Sequence, residues 1–304
     1  MNGWQRWLQA PQTHWLRRAL FQVHLWAGIA LGLYVLVISL SGSALLLKYR
    51  FYQWFEPKVV VSPSPDAVAL TGDALTQKMA EVYAGYELGF TVESVDRVRA
   101  TYIVLNKDGK ILPHYFDQFS GKDLGPANPW PIRAIEALAD VHAELLLGRN
   151  VGRKVNGVGG AVFLLMSLTG LVIWWQGRAR WYEGFIINPF SNRSLWWQVH
   201  TFVGFWALLL MVAWGVSGFQ LGFPRETNAI VNFFNSDPAD NLRSSRWLFF
   251  FRAVHFARFG DTSLTRWLWI IASFLPTLMV LSGIVVWWRR VIAPRLRRRT
   301  LAAN

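Results

Sequence analysis

FQVHLWAGIALGLYVLVISLSGSALLL, residues 21–47, is the stretch that decides the fold. It is long enough to cross a bilayer, because a membrane-spanning helix needs about 20 mostly apolar residues. Three similar stretches follow, so we predict a membrane all-α core of four transmembrane helices. We expect the first span to remain as an uncleaved anchor, since its apolar run exceeds the ~7–15 residues of a signal-peptide core. The predicted spans are 20–47, 155–175, 196–222 and 265–288.

The composition also indicates a membrane protein. Of the 304 residues, 53% are hydrophobic and 16% are charged, whereas soluble domains carry about 25% charged residues. The absence of cysteine from the sequence excludes disulfides, thiolate chemistry, iron–sulfur clusters and haem attachment through cysteine. No dinucleotide-binding or P-loop fingerprint is present, because the glycine-rich GVGGAVF at Gly157 lies in a predicted span and follows no strand.

The net charge of +13 would suit nucleic-acid binding, but the distribution of the arginines argues against it. They cluster before the first span, between the second and third spans and after the fourth. These three segments lie on the same side of the membrane if the chain crosses it four times. The positive-inside rule predicts that this side, with both termini, is cytoplasmic. Contact with anionic membrane lipid explains the remaining charge. These arginines are Arg6, Arg17, Arg18, Arg178, Arg180, Arg193, Arg289, Arg290, Arg295, Arg297, Arg298 and Arg299.

The sequence is that of a duplicated two-span unit. HLWAGIALGLYVLVISLSGSALLL from His24 aligns without a gap with HTFVGFWALLLMVAWGVSGFQLGF from His200. LTGLVIWW at Leu168 aligns with LSGIVVWW at Leu281, and carrying this alignment back brings two further histidines into register. Generic similarity of apolar helices does not explain four matched histidines. The matched pairs are His24 with His200, Gly28 with Gly204, Ser41 with Ser217, Gly42 with Gly218, and His142 with His255.

The segments between the spans differ in length between the two copies. In the first copy, residues 48–130 predict a small α+β domain, with a helix at about 72–84 and alternating strands around a turn at Asn106–Lys110. The second copy has no such domain. The remaining predicted segments are a cytoplasmic tail at 1–19, a periplasmic helix at 131–154, a cytoplasmic loop at 176–195, a periplasmic loop and helix at 223–264, and a basic cytoplasmic tail at 289–304.

The chain resembles the PepSY-associated transmembrane proteins over nearly its whole length. The resemblance rests on FQVHLWAG, DVHAELLLG, WWQVHTFVGF, AVHFARFG, the paired TGLVIWW and SGIVVWW, and the strand-rich YFDQFSGKDLG. The family includes bacterial inner-membrane ferric-siderophore reductases of the ferrioxamine-reductase type. Membership implies b-type haem bound by histidine, a periplasmic PepSY-like domain, and electron transfer across the inner membrane to ferric iron. Larger members carry further modules or spans, whereas this chain has one module and four spans.

The depth of the matched histidines predicts how they pair. His24 and His200 begin outward-going spans, whereas His142 and His255 precede inward-going spans. A helix rises 1.5 Å per residue, so histidines at opposite faces are too far apart to share an iron. We therefore predict that His24 with His200, and His142 with His255, ligate the iron of two haems b. The small residues expected to leave room for the porphyrin are Gly28 and Gly204.

Simpler roles exist for most of these residues. Glycines pack membrane helices together, and histidines can serve as interfacial hydrogen-bond partners or proton relays. The tryptophans at 174–175 and 287–288 fit an interfacial belt. His14 is expected to be solvated, and His114 lies on a predicted strand without a matched partner. The arginines that could bind haem propionates, or only set orientation and contact lipid, are Arg17, Arg18, Arg149, Arg153, Arg252 and Arg258.

The predicted function is a dihaem reductase. A cytoplasmic flavin reductase or a membrane quinol would supply electrons, and a periplasmic ferric siderophore would receive them and release Fe(II). The alternative is a non-enzymatic membrane-anchored protein whose PepSY-like domain binds a peptide or regulates a protease. Transport of the iron complex is disfavoured, because the spans carry few charges. The aromatic residues expected to contact the siderophore are Trp130, Phe233, Phe234, Trp247 and Phe249.

Overall fold

The computed structural model of the chain describes residues 3–55, 59, 61, 63, 66–93, 98–234, 241–258 and 262–303. The chain divides into two compact units. The helical unit comprises Met1–Leu46 and Leu138–Asn304, and the sheet unit comprises Leu47–Ala137. Parts of the predicted tails at 1–19 and 289–304, of the predicted domain at 48–130 and of the loop at 223–264 lie outside the described residues.

Helices make up most of the described structure. In chain order they are α1 (Gly3–Gln9), α2 (Trp15–Leu45), α3 (Lys48–Phe55), α4 (Gly72–Val82), α5 (Trp130–Glu144), α6 (Arg149–Trp174), α7 (Leu195–Trp206), α8 (Leu208–Gly222), α9 (Pro224–Phe234), α10 (Asn241–His255), α11 (Ser263–Ser273), α12 (Leu275–Trp287) and α13 (Ala293–Ala303). A π-helical turn at Trp288–Ile292 joins α12 to α13.

Among the described residues, three helical stretches are long and apolar enough to cross a membrane, namely α2, α6 and the continuous Ser263–Arg298. The pair α7 and α8 counts as a fourth if it forms one span, but it is bent by 65°. The bend falls at the buried Ala207, whose φ of −89° and ψ of 0° depart from regular helix geometry. The continuous helix expected over 196–222 is therefore broken in two.

Glycines bring α6 and α8 into close contact. A Cβ atom added at Gly157 would lie 2.9 Å from the Cα of Gly222, and one added at Gly160 would lie 2.8 Å from the backbone nitrogen of Phe219. Side chains at these positions would force the two backbones apart, as is typical of small-residue helix packing in membranes. The simpler role considered for glycines therefore applies along this helix pair.

Hydroxyl groups join α2 to α11 and α12 through hydrogen bonds. Ser39 Oγ donates to the carbonyl oxygen of Ser273 at 3.0 Å, and Thr277 Oγ1 donates to Ser39 Oγ at 2.9 Å. The helical unit is thus held together by two kinds of helix contact, one of close backbones and one of side-chain hydrogen bonds.

The sheet unit contains four antiparallel strands in the order β1–β2–β3–β4. They are β1 (Glu87–Val92), β2 (Thr101–Lys107), β3 (Lys110–Asp117) and β4 (Lys122–Pro126). A two-residue turn with positive φ at Asp108 (52°) and Gly109 (73°) joins β2 to β3, within the predicted turn at Asn106–Lys110. The helix α4 packs its apolar side on the sheet, and the core consists of Leu75, Met79, Tyr83, Ile103, Leu105 and Phe116.

Candidate functional site

The structure places the four matched histidines in two pairs, both inside the helical unit. His24 on α2 and His200 on α7 have ring centres 6.4 Å apart, with ring planes at 83°. His142 near the end of α5 and His255 at the end of α10 have ring centres 6.1 Å apart, with planes at 57°. We refer to these as the first pair and the second pair. They are the groupings expected from helical depth, and iron ligation by them stays a prediction.

Each of the four imidazoles lies against a hydroxyl group on a different helix. The atom involved is Nδ1 in every case. The contacts are His24 with Thr169 Oγ1 at 3.0 Å, His200 with Ser282 Oγ at 3.0 Å, His142 with Ser41 Oγ at 3.2 Å and His255 with Ser217 Oγ at 2.8 Å. The Nδ1 of His142 also lies 3.0 Å from the carbonyl oxygen of Ile38.

These hydroxyl groups favour one tautomer of each ring. Each hydroxyl lies within hydrogen-bonding distance of a carbonyl of its own helix, and when it donates to that carbonyl it accepts from the imidazole Nδ1–H. This arrangement puts the ring proton on Nδ1 and leaves the lone pair of Nε2 free. The donations are Thr169 to the Met166 carbonyl at 2.9 Å, Ser282 to that of Leu278 at 2.7 Å, Ser41 to that of Val37 at 2.6 Å and Ser217 to that of Trp214 at 3.1 Å.

A glycine follows each of the four hydroxyl residues, and three of these glycines make room for an imidazole. A Cβ atom at Gly170 would lie 3.3 Å from Cε1 of His24, and one at Gly283 would lie 3.2 Å from Cε1 of His200. At Gly42 the distance to Cε1 of His142 would be 2.7 Å. The fourth, Gly218, instead faces Gly160 of α6 at 3.4 Å.

A cavity of about 940 Å³ surrounds the first pair. This volume lies within the range of cofactor sites, roughly 300–1,000 Å³. Gly28 and Gly204 line it, and added Cβ atoms would meet the methyl groups of Met166 at 3.4 Å and Met279 at 3.0 Å. The two glycines and the two methionine methyl groups thus form apolar walls beside the imidazoles of the first pair.

The second pair is half-buried and does not line this cavity. Burial lowers the pKa of His142 and lowers that of His255 to about 4, where repulsion from a charged His142 adds to the effect. Both rings are therefore neutral at physiological pH, the form in which an imidazole binds a metal.

The other residues considered from the sequence lie elsewhere. His14 sits between two tryptophans, with ring-centre distances of 5.4 Å to Trp7 and 6.3 Å to Trp15. In the sheet unit, Nδ1 of His114 lies 3.0 Å from Oδ1 of Asp123. Neither histidine belongs to a pair, and no cluster of three or more metal-ligating side chains occurs among the residues that the structure describes.

Two of the arginines considered from the sequence contact other side chains, and the aromatic residues lie at the surface. Arg153 pairs with Glu144 at 3.2 Å, and Arg258 lies over the ring of Phe256 at 5.4 Å. Contact with a siderophore stays a prediction for the aromatic residues, all of which are exposed: Trp130 in the sheet unit and Phe233, Phe234, Trp247 and Phe249 in the helical unit.

Sequence reasoning missed the role of the four hydroxyl residues. The signal was present, because a serine or threonine followed by glycine occurs once in each predicted span. Two of these dipeptides stood out as matched small residues of the repeat, but nothing in the alignment paired them with histidines. Each of these hydroxyl residues lies at the same depth in its span as the imidazole that it contacts. A comparison of these depths would have identified the hydroxyl partners.

One comparison with known proteins covers most of the chain. None of the curated proteins matches it. The family model described as the PepSY-associated TM region matches residues 21–246 and 231–290, which include all four paired histidines and all four hydroxyl residues. The chain therefore belongs to the family of the PepSY-associated transmembrane region.

Proposed function

We propose that this protein is a dihaem b oxidoreductase of the bacterial inner membrane. It takes electrons from a cytoplasmic flavin reductase or a membrane quinol and passes them to a periplasmic ferric siderophore, which then releases Fe(II). The observation that carries this proposal is the pairing of four imidazoles whose Nε2 atoms are all left free by hydrogen bonds at Nδ1.

The spacing of the rings fits coordination of one metal by each pair. An imidazole nitrogen binds a transition metal at about 2.0 Å, and each nitrogen lies about 1 Å from its ring centre, so two opposed imidazoles hold their centres roughly 6 Å apart. The observed separations are 6.4 Å and 6.1 Å.

The surroundings of the histidines suit a redox cofactor that stays in place. The hydroxyl groups orient the rings and raise the basicity of Nε2. The apolar walls of the first pair keep water away from the ligand nitrogens. When bound, haem b supplies a one-electron iron couple, and ligation by two imidazoles leaves no open position for oxygen chemistry.

The direction of transfer follows from the proposed membrane topology. We place four spans in the membrane, as a duplicated two-span unit, with the arginine-rich segments and both termini in the cytoplasm. The first pair then lies near the cytoplasm and the second pair near the periplasm, where the sheet unit lies as a PepSY-like domain. The siderophore is reduced near the second pair because Fe(III), the more highly charged ion, is bound better than Fe(II) by the hard oxygen ligands of hydroxamate siderophores.

A spectrum and an assay test this function together. The detergent-purified protein, expressed with ample haem supply, should contain two haems b per chain and show sharp low-spin bands after reduction with dithionite. The reduced protein, mixed with a ferric siderophore and an Fe(II) chelator in the absence of oxygen, should reoxidise as the Fe(II) complex forms. A colourless protein would contradict the proposal and favour the peptide-binding alternative.

The matched control for the assay is a histidine outside both pairs. His255→Ala should keep one reducible haem but reduce the siderophore far more slowly. His114→Ala, in the sheet unit, should reduce it at the wild-type rate. Equal rates for wild type and His255→Ala would mean that electrons do not leave through the second pair.

A further inference from the structure

Arg17 and Arg290 line the cavity of the first pair, at the end where α2 begins and α12 ends. Arg17 lies seven residues before His24, which is two helical turns on the same face and about 10 Å along the axis. Arg290 lies seven residues after Gly283, the glycine that makes room for His200. Arg17 therefore lies on the helix of His24, and Arg290 lies in the π-helical turn that continues the helix facing His200.

Neither arginine has a carboxylate partner in the part of the chain that the structure describes. Glu183 is the only acidic residue in the predicted cytoplasmic segments. It is already engaged by Arg193 at 2.9 Å and by Arg180 at 3.9 Å. The positive charges of Arg17 and Arg290 thus repel each other, and no carboxylate among the described residues compensates them.

The arginines are nevertheless held in place. Nη2 of Arg17 donates to the carbonyl oxygen of Ile173 at 2.6 Å, and the guanidinium of Arg290 lies over the ring of Phe21 at 4.3 Å. Nε of Arg17 is buried and has no hydrogen-bond partner among the described residues. A buried donor without an acceptor is costly, so this position is suited to a ligand that supplies acceptor oxygens.

The shape of the cavity defines the rest of that ligand. Its walls are mostly apolar, the imidazoles of the first pair face into it, and the arginines stand at one end. A free phosphate would satisfy the arginines and leave the apolar part of the cavity empty. A flat apolar molecule with two carboxylates on one edge satisfies both parts.

We propose that Arg17 and Arg290 bind the two propionate carboxylates of the haem held by His24 and His200. The propionate edge of that haem faces the end of the helical unit at which α2 begins. This inference rests on the proposed function, since it concerns the cofactor of the first pair. It adds the two residues that orient that cofactor and the carboxylate chemistry that they recognise.

A chemical change in the haem tests the contact. Apoprotein carrying His255→Ala, so that only the first pair binds, is titrated with haem b and with its dimethyl ester, which lacks the carboxylate charges. Charge-assisted hydrogen bonds are among the stronger ones, so the parent should bind the ester roughly tenfold or more weakly. The variant carrying both Arg17→Gln and Arg290→Gln should lose most of this preference.

The control is Arg297→Gln, an exposed arginine that does not line the cavity. It should keep the parent's preference for haem b over the ester. Equal binding of both haems by the parent, or an undiminished preference in the double variant, would overturn the assignment of the propionates and leave the proposed function standing. Failure of the parent to bind either haem would instead contradict the proposed function.

Discussion

The first pair and the second pair differ in how closely the surroundings of their two histidines match. In the first pair, each histidine lies 3.0 Å from one hydroxyl group of its own. Each also lies beside a glycine, where an added Cβ atom would be 3.2–3.3 Å from the imidazole. In the second pair, His142 has two acceptors and an adjacent glycine at 2.7 Å, whereas His255 has one hydroxyl at 2.8 Å. Matched sequence therefore does not guarantee matched surroundings. We expect matched substitutions to act equally in the first pair and unequally in the second.

The largest expected effect comes from removing a proposed haem ligand. His24→Ala and His200→Ala should each abolish the same haem, and His142→Ala and His255→Ala should each abolish the other, because one imidazole cannot hold the iron as a low-spin centre. The pyridine-haemochrome content should fall from about two haems to about one per chain. Indistinguishable difference spectra for His24→Ala and His142→Ala would break the division into two pairs.

The next effect concerns the glycines beside the rings. Gly42→Ala should displace His142, because the new methyl group would lie far inside contact distance of Cε1. Overpacking of this kind costs about 1–3 kcal/mol, so the second haem should bind about tenfold more weakly in a haem titration. Gly218→Ala is the matched control, since its methyl group would face Gly160 in ordinary contact. Equal losses in the two variants would contradict the asymmetry of the second pair.

The same titration on the first pair should give a symmetric result. Gly170→Ala and Gly283→Ala place a methyl group at nearly equal distances from their histidines. Both substitutions should weaken the binding of the first haem by similar factors, smaller than that for Gly42→Ala, and leave the binding of the second haem unchanged. A large difference between the two would show that the first pair is less symmetric in solution.

The hydroxyl groups should tune the haems rather than hold them. Ser217→Ala removes the Nδ1 partner of His255, whereas after Ser41→Ala the carbonyl of Ile38 still accepts from His142. Ser217→Ala should therefore raise the midpoint potential of the second haem more than Ser41→Ala does, because a weaker hydrogen bond at Nδ1 makes Nε2 less basic. Spectroelectrochemical titration measures both potentials, and the reverse order would contradict the geometry.

The smallest expected effect comes from a hydrogen bond that only the first copy has. Tyr34 Oη donates to Oδ1 of Asn156 at 2.6 Å, and Nδ2 of Asn156 donates to the His142 carbonyl at 2.7 Å. The matched position in the second copy is Leu210. Tyr34→Phe should destabilise the helical unit by about 1 kcal/mol, which would be seen as a small decrease in Tm. Leu210→Phe removes no hydrogen bond and should not cause this loss.

Sequence reasoning reached the grouping of the histidines because helical rise alone separates the two ends of a span. The strand-like alternation of the sequence predicted the turn at Asn106–Lys110, whose Asp–Gly centre favours a tight hairpin. It did not reach the hydroxyl partners, because contact between helices depends on their rotation about their own axes, which hydropathy does not encode. The bend at Ala207 was also missed, since no proline marks it.

Each pair draws one histidine from the first half of the chain and one from the second, so the order of synthesis has a consequence. Neither site is complete until the ribosome has delivered the second half, because His200 and His255 emerge long after their partners. A nascent chain therefore holds two half-sites, and under the proposed function its haems would be inserted late, when the second half reaches the membrane. Two halves made as separate polypeptides should accordingly acquire pigment only when they are produced in the same cell.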